Sequence, residues 1–218
     1  MKRANRMSVT TKYVLLVSAL MLLTNIVLSS VMIHQFRSTI QTLVRRDMLD
    51  ISNTAAGLLD GDVLGELKEE DVGTPKLEDI RHQLAVFQDN VDIEYIYAVR
   101  QVGEDDFVFT VDADPKDPAD FGEEVLVTYA LRQAARGYAT VDTEPAEDEW
   151  GNFYSAYSPV FDSDGRIACI IGMDYDADWY DRQILENSVS VGIISVLSVI
   201  LTLMILLIVT GNIRKKFA

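Results

Sequence analysis

Polar and aromatic side chains alternate along the last two predicted strands of the chain. Residues 152–161 and 166–174 are separated by residues 162–165, which read Asp-Ser-Asp-Gly and are typical of a β-hairpin turn. If the turn has two residues, Ser155 pairs with Asp174 across the hairpin. Because side chains alternate between the two faces of a strand, one face then carries Phe153, Ser155, Tyr157, Ile170, Gly172 and Asp174.

This face of the hairpin combines a carboxylate, a hydroxyl and aromatic rings around Gly172, which is expected to leave space for a ligand, and such a lining is typical of small-molecule pockets. Asp174 is the main candidate for a ligand contact, and the alternative is that it ends its strand in water and caps the following turn. Tyr97 and Trp150 are further candidate contacts, although such residues more often belong to a core or its rim. The opposite face is apolar, as a covering helix requires, and a three-residue turn would exchange the two faces.

No pattern of catalytic or metal-binding residues stands out. His34 and His82 are isolated, and no nucleophile elbow, zinc-protease motif or phosphate-binding loop occurs. Asp112, Asp114 and Glu123 match three positions of a calcium-binding loop, but Lys116 occupies a ligand position of that loop. We therefore expect no enzymatic activity, no cofactor and no metal.

The elements that position the hairpin are predicted to form an α+β domain over residues 34–187. A spacing of three and four between apolar residues predicts a long helix that continues the apolar run 13–33 to near Gly61, and Thr74-Pro75 begins another helix. Strands are predicted over 95–99 and 107–111, followed by an acidic loop. A helix over 125–136 is expected to end at Gly137, before a strand over 138–141. The result is an antiparallel sheet covered by the long helix.

Two uncharged apolar runs, residues 13–33 and 188–210, are long enough to cross a bilayer. All 34 acidic residues lie between them, whereas the basic segments 1–12 and 211–218 flank them. Because basic residues are retained inside, both termini are expected to be cytoplasmic and the central domain extracytoplasmic. A cleaved signal peptide is the alternative for the first run, and Asn25 within it is expected to contact another helix.

The composition of the central interval limits its partners. Its strong acidity makes nucleic acid an improbable partner. Cys169 is the only cysteine, so the domain must be held together by packing without an internal disulfide. Dimerisation through the apolar stripe of the long helix is expected, because a shift of one helix can transmit a signal when it moves relative to a paired helix.

The chain resembles the Cache sensor domains, the PAS-like extracytoplasmic modules of bacterial receptors. Residues 158–166, Ser-Pro-Val-Phe-Asp-Ser-Asp-Gly-Arg, are similar to the family's final hairpin, as are residues 170–174, Ile-Ile-Gly-Met-Asp. The resemblance implies a PAS-like sheet and, in members that bind amino acids or amines, gives Asp174 the role of holding the ligand's ammonium group. Those members also carry an Arg-x-Trp-Tyr pattern, which is absent from residues 113–136.

Two functions follow as hypotheses. In the first, a small molecule binds between the sheet and residues 112–137 and shifts two helices, which relay the signal to a cytoplasmic kinase, chemotaxis coil or diguanylate cyclase. Since residues 210–218 are too few for such a module, we expect it to have been removed or to lie on a partner. In the second, the domain is a ligand-free structural or docking module. A cavity beside Asp174 would distinguish them.

Overall fold

The computed structural model describes residues 9–216. Most of the predicted basic tail, including Lys2, Arg3 and Arg6, lies outside these residues, as do the last two residues of the predicted C-terminal segment. The chain divides into two compact units, of which Thr42–Arg182 is one and the remaining described residues are the other. The predicted boundaries at residues 12, 33, 187 and 210 remain predictions.

The secondary structure follows the predicted order of elements. Five α-helices, one 3₁₀-helix (Glu69–Asp71) and six strands are described: α1 Val9–Leu58, α2 Gly61–Gly65, α3 Pro75–Asn90, β1 Tyr95–Gln101, β2 Phe107–Asp112, α4 Tyr129–Ala134, β3 Thr140–Val141, β4 Ala146–Glu147, β5 Asn152–Phe161, β6 Ile167–Asp176 and α5 Ala177–Lys216. The long helix α1 confirms the predicted continuity between the first apolar run and the helix that follows it.

The unit outside Thr42–Arg182 contains the apolar parts of α1 and α5. Two helices, Lys12–Leu58 and Val189–Ile208, are long and apolar enough to cross a membrane. Asn25 Nδ2 donates to Ser198 Oγ at 2.8 Å, and the Ser29 hydroxyl donates to Ser195 Oγ at 2.7 Å. These bonds confirm the expected helix contact of Asn25, which satisfies a polar group inside an apolar segment.

The unit Thr42–Arg182 is built on an antiparallel sheet of order β2-β1-β6-β5-β3, with β4 also paired to β5. One face of the sheet is covered by α1, α2 and α3. Met48 and Ala55 of α1 and Leu84 of α3 are buried against the apolar residues of β1, β5 and β6. The predicted α+β class, with a long N-terminal helix over the sheet, is confirmed.

The hairpin of β5 and β6 has a three-residue loop where a two-residue turn was predicted. The Asp162 amide donates to the Arg166 carbonyl at 2.8 Å, and Gly165 closes the loop with φ +79°. Such a loop alone would exchange the two faces, but a bulge at Ala168 adds one residue to β6. The two irregularities offset each other, so Ser155 pairs with Asp174 and the predicted faces are confirmed.

The helix predicted over residues 125–136 is wrong in its first turn. Helix α4 covers only Tyr129–Ala134, because the Val125 amide donates to the Phe107 carbonyl at 3.0 Å and keeps this stretch beside β2. Thr128 begins the helix by accepting the Leu131 amide at 3.2 Å, and Gly137 ends it with φ +92°. Residues 125–128 are thereby left free of the helix to form one wall of the cavity described below.

Candidate functional site

A pocket opens on the face of the sheet opposite α1. It contains about 570 Å³ of empty space, its mouth included, between strands β1, β5 and β6 and the segment from Asp112 to Thr128. All six residues singled out in the sequence line it: Tyr97, Trp150, Phe153, Ser155, Tyr157 and Asp174. Their role as ligand contacts remains a prediction, but the pocket lies where the first functional hypothesis placed it.

Asp174 lies at the base of the pocket and is 5% exposed. The Tyr97 hydroxyl donates to Asp174 Oδ1 at 3.2 Å and lies 3.4 Å from the Tyr157 hydroxyl. Burial raises the pKa of the Asp174 carboxyl to about 7, and hydrogen bonds from Ser155 and Tyr97 oppose that rise. The negative charges of Asp148 and Asp112 raise the pKa further. Asp174 is thus a buried acid near its point of titration at neutral pH.

Gly172 has a different role from the one expected. The sequence suggested that the glycine leaves room for a ligand, but the ring of Tyr97 occupies that space. A Cβ added at residue 172 would collide with the Tyr97 ring, which lies across from it in the paired strand β1. The glycine therefore allows the Tyr97 ring to lie flat on β6, from where its hydroxyl reaches Asp174.

Three further carboxylates line the pocket and were not identified from the sequence: Asp112, Asp117 and Asp148. Asp112 is buried, its two oxygens accept the Asp114 and Ala119 amides at 3.0 and 2.8 Å, and burial raises its pKa. Asp148 accepts the Trp150 amide at 3.0 Å. The available signal was weak, since all three lie at a strand end or in loops, where no periodicity indicates the direction of a side chain.

Aromatic rings form much of the remaining pocket wall. Tyr95 packs edge-on against Phe153, with ring centroids 5.4 Å apart, and Phe109 packs edge-on against both Tyr97 and Trp150, at 5.1 and 5.7 Å. Sequence reasoning missed Tyr95 and Phe109, although both share the strand face of residues it had identified. These contacts hold the rings in place before any ligand is bound.

The charged side chains that line the pocket are all acidic. Four carboxylates line it, and no Lys, Arg or His does so in the part of the chain that the structure describes. Nor are three or more His, Cys, Asp or Glu side chains grouped to hold a metal ion among those residues. The site can therefore supply negative charge, hydroxyl groups and aromatic faces to a bound molecule.

The fold is similar to those of known sensor domains. An extracellular ligand-binding receptor from Desulfohalobium retbaense matches with a TM-score of 0.51 and 15% identity, over 71% of this chain and 26% of that one. The ligand-binding domain of the Pseudomonas aeruginosa chemoreceptor PctC, in complex with GABA, matches with a TM-score of 0.49 and 19% identity, over 74% of this chain and 67% of that one. The ligand-binding domain of the Campylobacter jejuni chemoreceptor Tlp3, in complex with L-valine, matches with a TM-score of 0.45 and 12% identity, over 74% of this chain and 66% of that one. No family model and no curated protein matches the sequence.

The chain has the fold of a PAS-like sensor domain. The helix-covered face of the sheet packs into the larger apolar core, and the other face has a smaller apolar cluster beside the pocket. The expected resemblance to extracytoplasmic sensors is confirmed at the level of the fold.

Proposed function

We propose that the chain is a membrane-anchored receptor whose extracytoplasmic domain binds a small molecule in the pocket beside Asp174. The observation that carries this proposal is a buried carboxylate at the base of an open pocket, with no basic residue lining that pocket among the described residues. A buried charge without a partner is costly, and structural sites normally provide one. A positively charged ligand would supply the missing partner.

The lining of the pocket favours an organic cation that lacks a carboxylate. Asp112, Asp117, Asp148 and Asp174 would each repel a carboxylate group, and no lining residue could pair with one. Aromatic rings attract ammonium groups through their electron-rich faces, and such rings make up much of the wall. We therefore propose an amine or a quaternary ammonium compound as the ligand, with Asp174 as its main counter-ion.

The relay across the membrane is proposed to use α1 and α5. Asp174 is two residues from the end of β6, and α5 begins directly after that strand and contains the second apolar segment. Asp176 joins the two elements, because its Oδ1 accepts the Trp179 amide at 2.6 Å in the first turn of α5. A ligand can shift these helices only if it binds two arrangements of the domain with different affinities. The cytoplasmic output module and a homodimer through α1 are parts of this proposal.

The alternative of a ligand-free docking module is less well supported. A domain with no ligand has no need of an open, acidic cavity beside a buried carboxylate, and a packed space there would have favoured that alternative. The lining of carboxylates, hydroxyl groups and aromatic rings is typical of a small-molecule site.

Ligand titrations with matched compounds test the proposal. The full chain carrying Trp179→Phe, reconstituted in lipid nanodiscs, keeps Trp150 in the pocket wall as its only tryptophan and fluorescent reporter. We expect saturable fluorescence changes with choline and isobutylamine, and none with their carboxylated counterparts glycine betaine and L-valine. The neutral analogue of choline, 3,3-dimethyl-1-butanol, should also fail to bind.

Each outcome of the titrations bears on a different part of the proposal. Binding of betaine or L-valine that is lost in Asp174→Asn would refute the cation class and retain the receptor. If none of the five compounds binds, the assignment of this pocket to small cations or amino acids is wrong, and the docking module becomes the better hypothesis.

A further inference from the structure

Two buried polar atoms without a hydrogen-bond partner belong to side chains of opposite charge in the same neighbourhood. Arg45 Nε on α1 and Asp142 Oδ2 at the end of β3 are two of the three such atoms found among the described residues. Arg45 reaches this region because its Nη2 donates to the carbonyl of Thr143 at 2.7 Å. The charge of Arg45 acts on Asp142 and lowers its pKa, although burial is the larger influence and raises it. The two groups thus interact electrostatically without an ion pair within 4.0 Å.

Asp142 also holds one wall of the pocket. Its Oδ1 accepts the Ala130 amide at 3.0 Å, two residues after the pocket-lining residue Thr128. Thr128 begins α4, because its Oγ1 accepts the Leu131 amide at 3.2 Å. Asp142 is therefore bonded to the first turn of the helix that Thr128 begins.

The backbone of Asp142 is tied to the opposite side of the pocket. Its amide donates to the Ser155 carbonyl at 2.9 Å, and Ser155 is the residue that pairs with Asp174 across the hairpin. A single buried residue, 5% exposed, is therefore bonded to Ser155 in the pocket wall and to the first turn of α4, and it lies near a cation on α1.

We propose that Asp142 is a positioning residue of the pocket and that Arg45 is its switchable partner on α1. When a ligand presses on the wall at Thr128, Asp142 moves toward α1, and Arg45 Nε donates to Asp142 Oδ2. This contact satisfies two buried atoms, Arg45 Nε and Asp142 Oδ2, that otherwise have no hydrogen-bond partner, so the ligand-bound arrangement gains a hydrogen bond. The inference rests on the proposed function, since it assigns a relay to the same pocket.

A double-mutant cycle on ligand affinity tests the pair. The full chain in nanodiscs, with the Trp179→Phe reporter background, is titrated with choline and isobutylamine. We expect Arg45→Met to weaken binding about tenfold although Arg45 does not line the pocket, and Asp142→Asn, which keeps one oxygen for Ala130, to weaken it similarly. The double variant should have an affinity no lower than that of whichever single variant, Arg45→Met or Asp142→Asn, has the lower affinity.

Two control variants separate this role from a structural one. Arg45→Lys keeps the charge but lacks the Nε donor, so its affinity should lie between those of the parent and Arg45→Met. Arg46→Met removes the neighbouring arginine, which is exposed and pairs with Asp50 at 3.7 Å, and should leave affinity unchanged.

Several outcomes would overturn the pairing. Affinity equal to the parent's in Arg45→Met, additive losses in the double variant, or a lower melting temperature without a change in affinity would each contradict it and leave the receptor intact. If the parent chain binds neither cation, the proposed function fails and the relay fails with it.

Discussion

The two faces of the sheet are built from alternate residues of the same strands, yet they treat buried polar groups differently. On the helix-covered face, Ser158 is fully buried, but its hydroxyl lies 2.8 Å from Ser52 Oγ and donates to Asn53 Oδ1 at 2.9 Å. On the pocket face, Asp174 is also buried and receives hydroxyl groups but no cation. The helix face is complete without a ligand, whereas on the pocket face the charged form of Asp174 is balanced only by a proton or by a bound cation.

This difference indicates where stability and function reside. Polar groups that are buried with partners stabilise a unique arrangement of helix on sheet. A buried acid without a cation costs free energy and is retained only if another role requires it. We therefore expect substitutions on the helix face to change stability with little effect on binding, and substitutions on the pocket face to do the reverse.

The largest expected effect on stability is from Ile171→Ala on the helix face of β6. Ile171 is 0% exposed, and its truncation should lower the free energy of unfolding by about 2–5 kcal/mol through lost burial and a residual cavity. Urea unfolding of the full chain in nanodiscs, followed by tryptophan fluorescence, measures the loss. Choline affinity in the absence of urea should be unchanged within about twofold, because the side chain points away from the pocket. A binding defect as large as the stability defect would contradict the separation of the faces.

The next effect is a pH dependence that originates on the pocket face. The pKa of Asp174 is about 7 in the folded protein, above the ordinary value of about 4 expected after unfolding. Between these values only the folded state holds the proton, so the free energy of unfolding should fall by roughly 3–4 kcal/mol as the pH rises from about 4 to about 7. Urea unfolding at a series of pH values measures this slope.

The matched variant Asp174→Asn isolates the contribution of that carboxyl group. It should lose this part of the pH dependence and should be more stable than the parent chain above pH 7, because it buries no charge. Choline affinity of the parent should weaken by up to about tenfold per pH unit below 7, as Asp174 takes up its proton. A parent and variant with the same pH profile would show that Asp174 titrates as an ordinary carboxyl group.

The two faces were predicted correctly from the sequence, but their pairing results from two irregularities of the hairpin that the sequence does not show. Alternation along β5 and β6 defines the faces, but their pairing depends on the loop, and the three-residue loop is offset by the bulge at Ala168. Neither feature has a local signature as strong as the Asp-Gly turn itself. The helix predicted over residues 125–136 was too long at its start, because residues 125–127 are as compatible with an extended segment beside β2 as with a helix. The carboxylates Asp112, Asp117 and Asp148 were missed because they lie at a strand end or in loops. There Asp112 and Asp148 are directed by bonds from backbone amides of the following loop, which follow no sequence periodicity.

The smallest expected effect comes from two serines of β5 that lie on opposite faces. Ser158→Ala removes a satisfied buried hydroxyl on the helix face and should cost about 1 kcal/mol in the free energy of unfolding, with no change in choline affinity. Ser155→Ala removes a hydrogen bond that lowers the pKa of Asp174, so the pH at which choline binding weakens should move upward. Urea unfolding and choline titrations at several pH values measure both variants. If Ser158→Ala moved the pH dependence of binding as far as Ser155→Ala, the two faces would be coupled through β5 and their separation would be wrong.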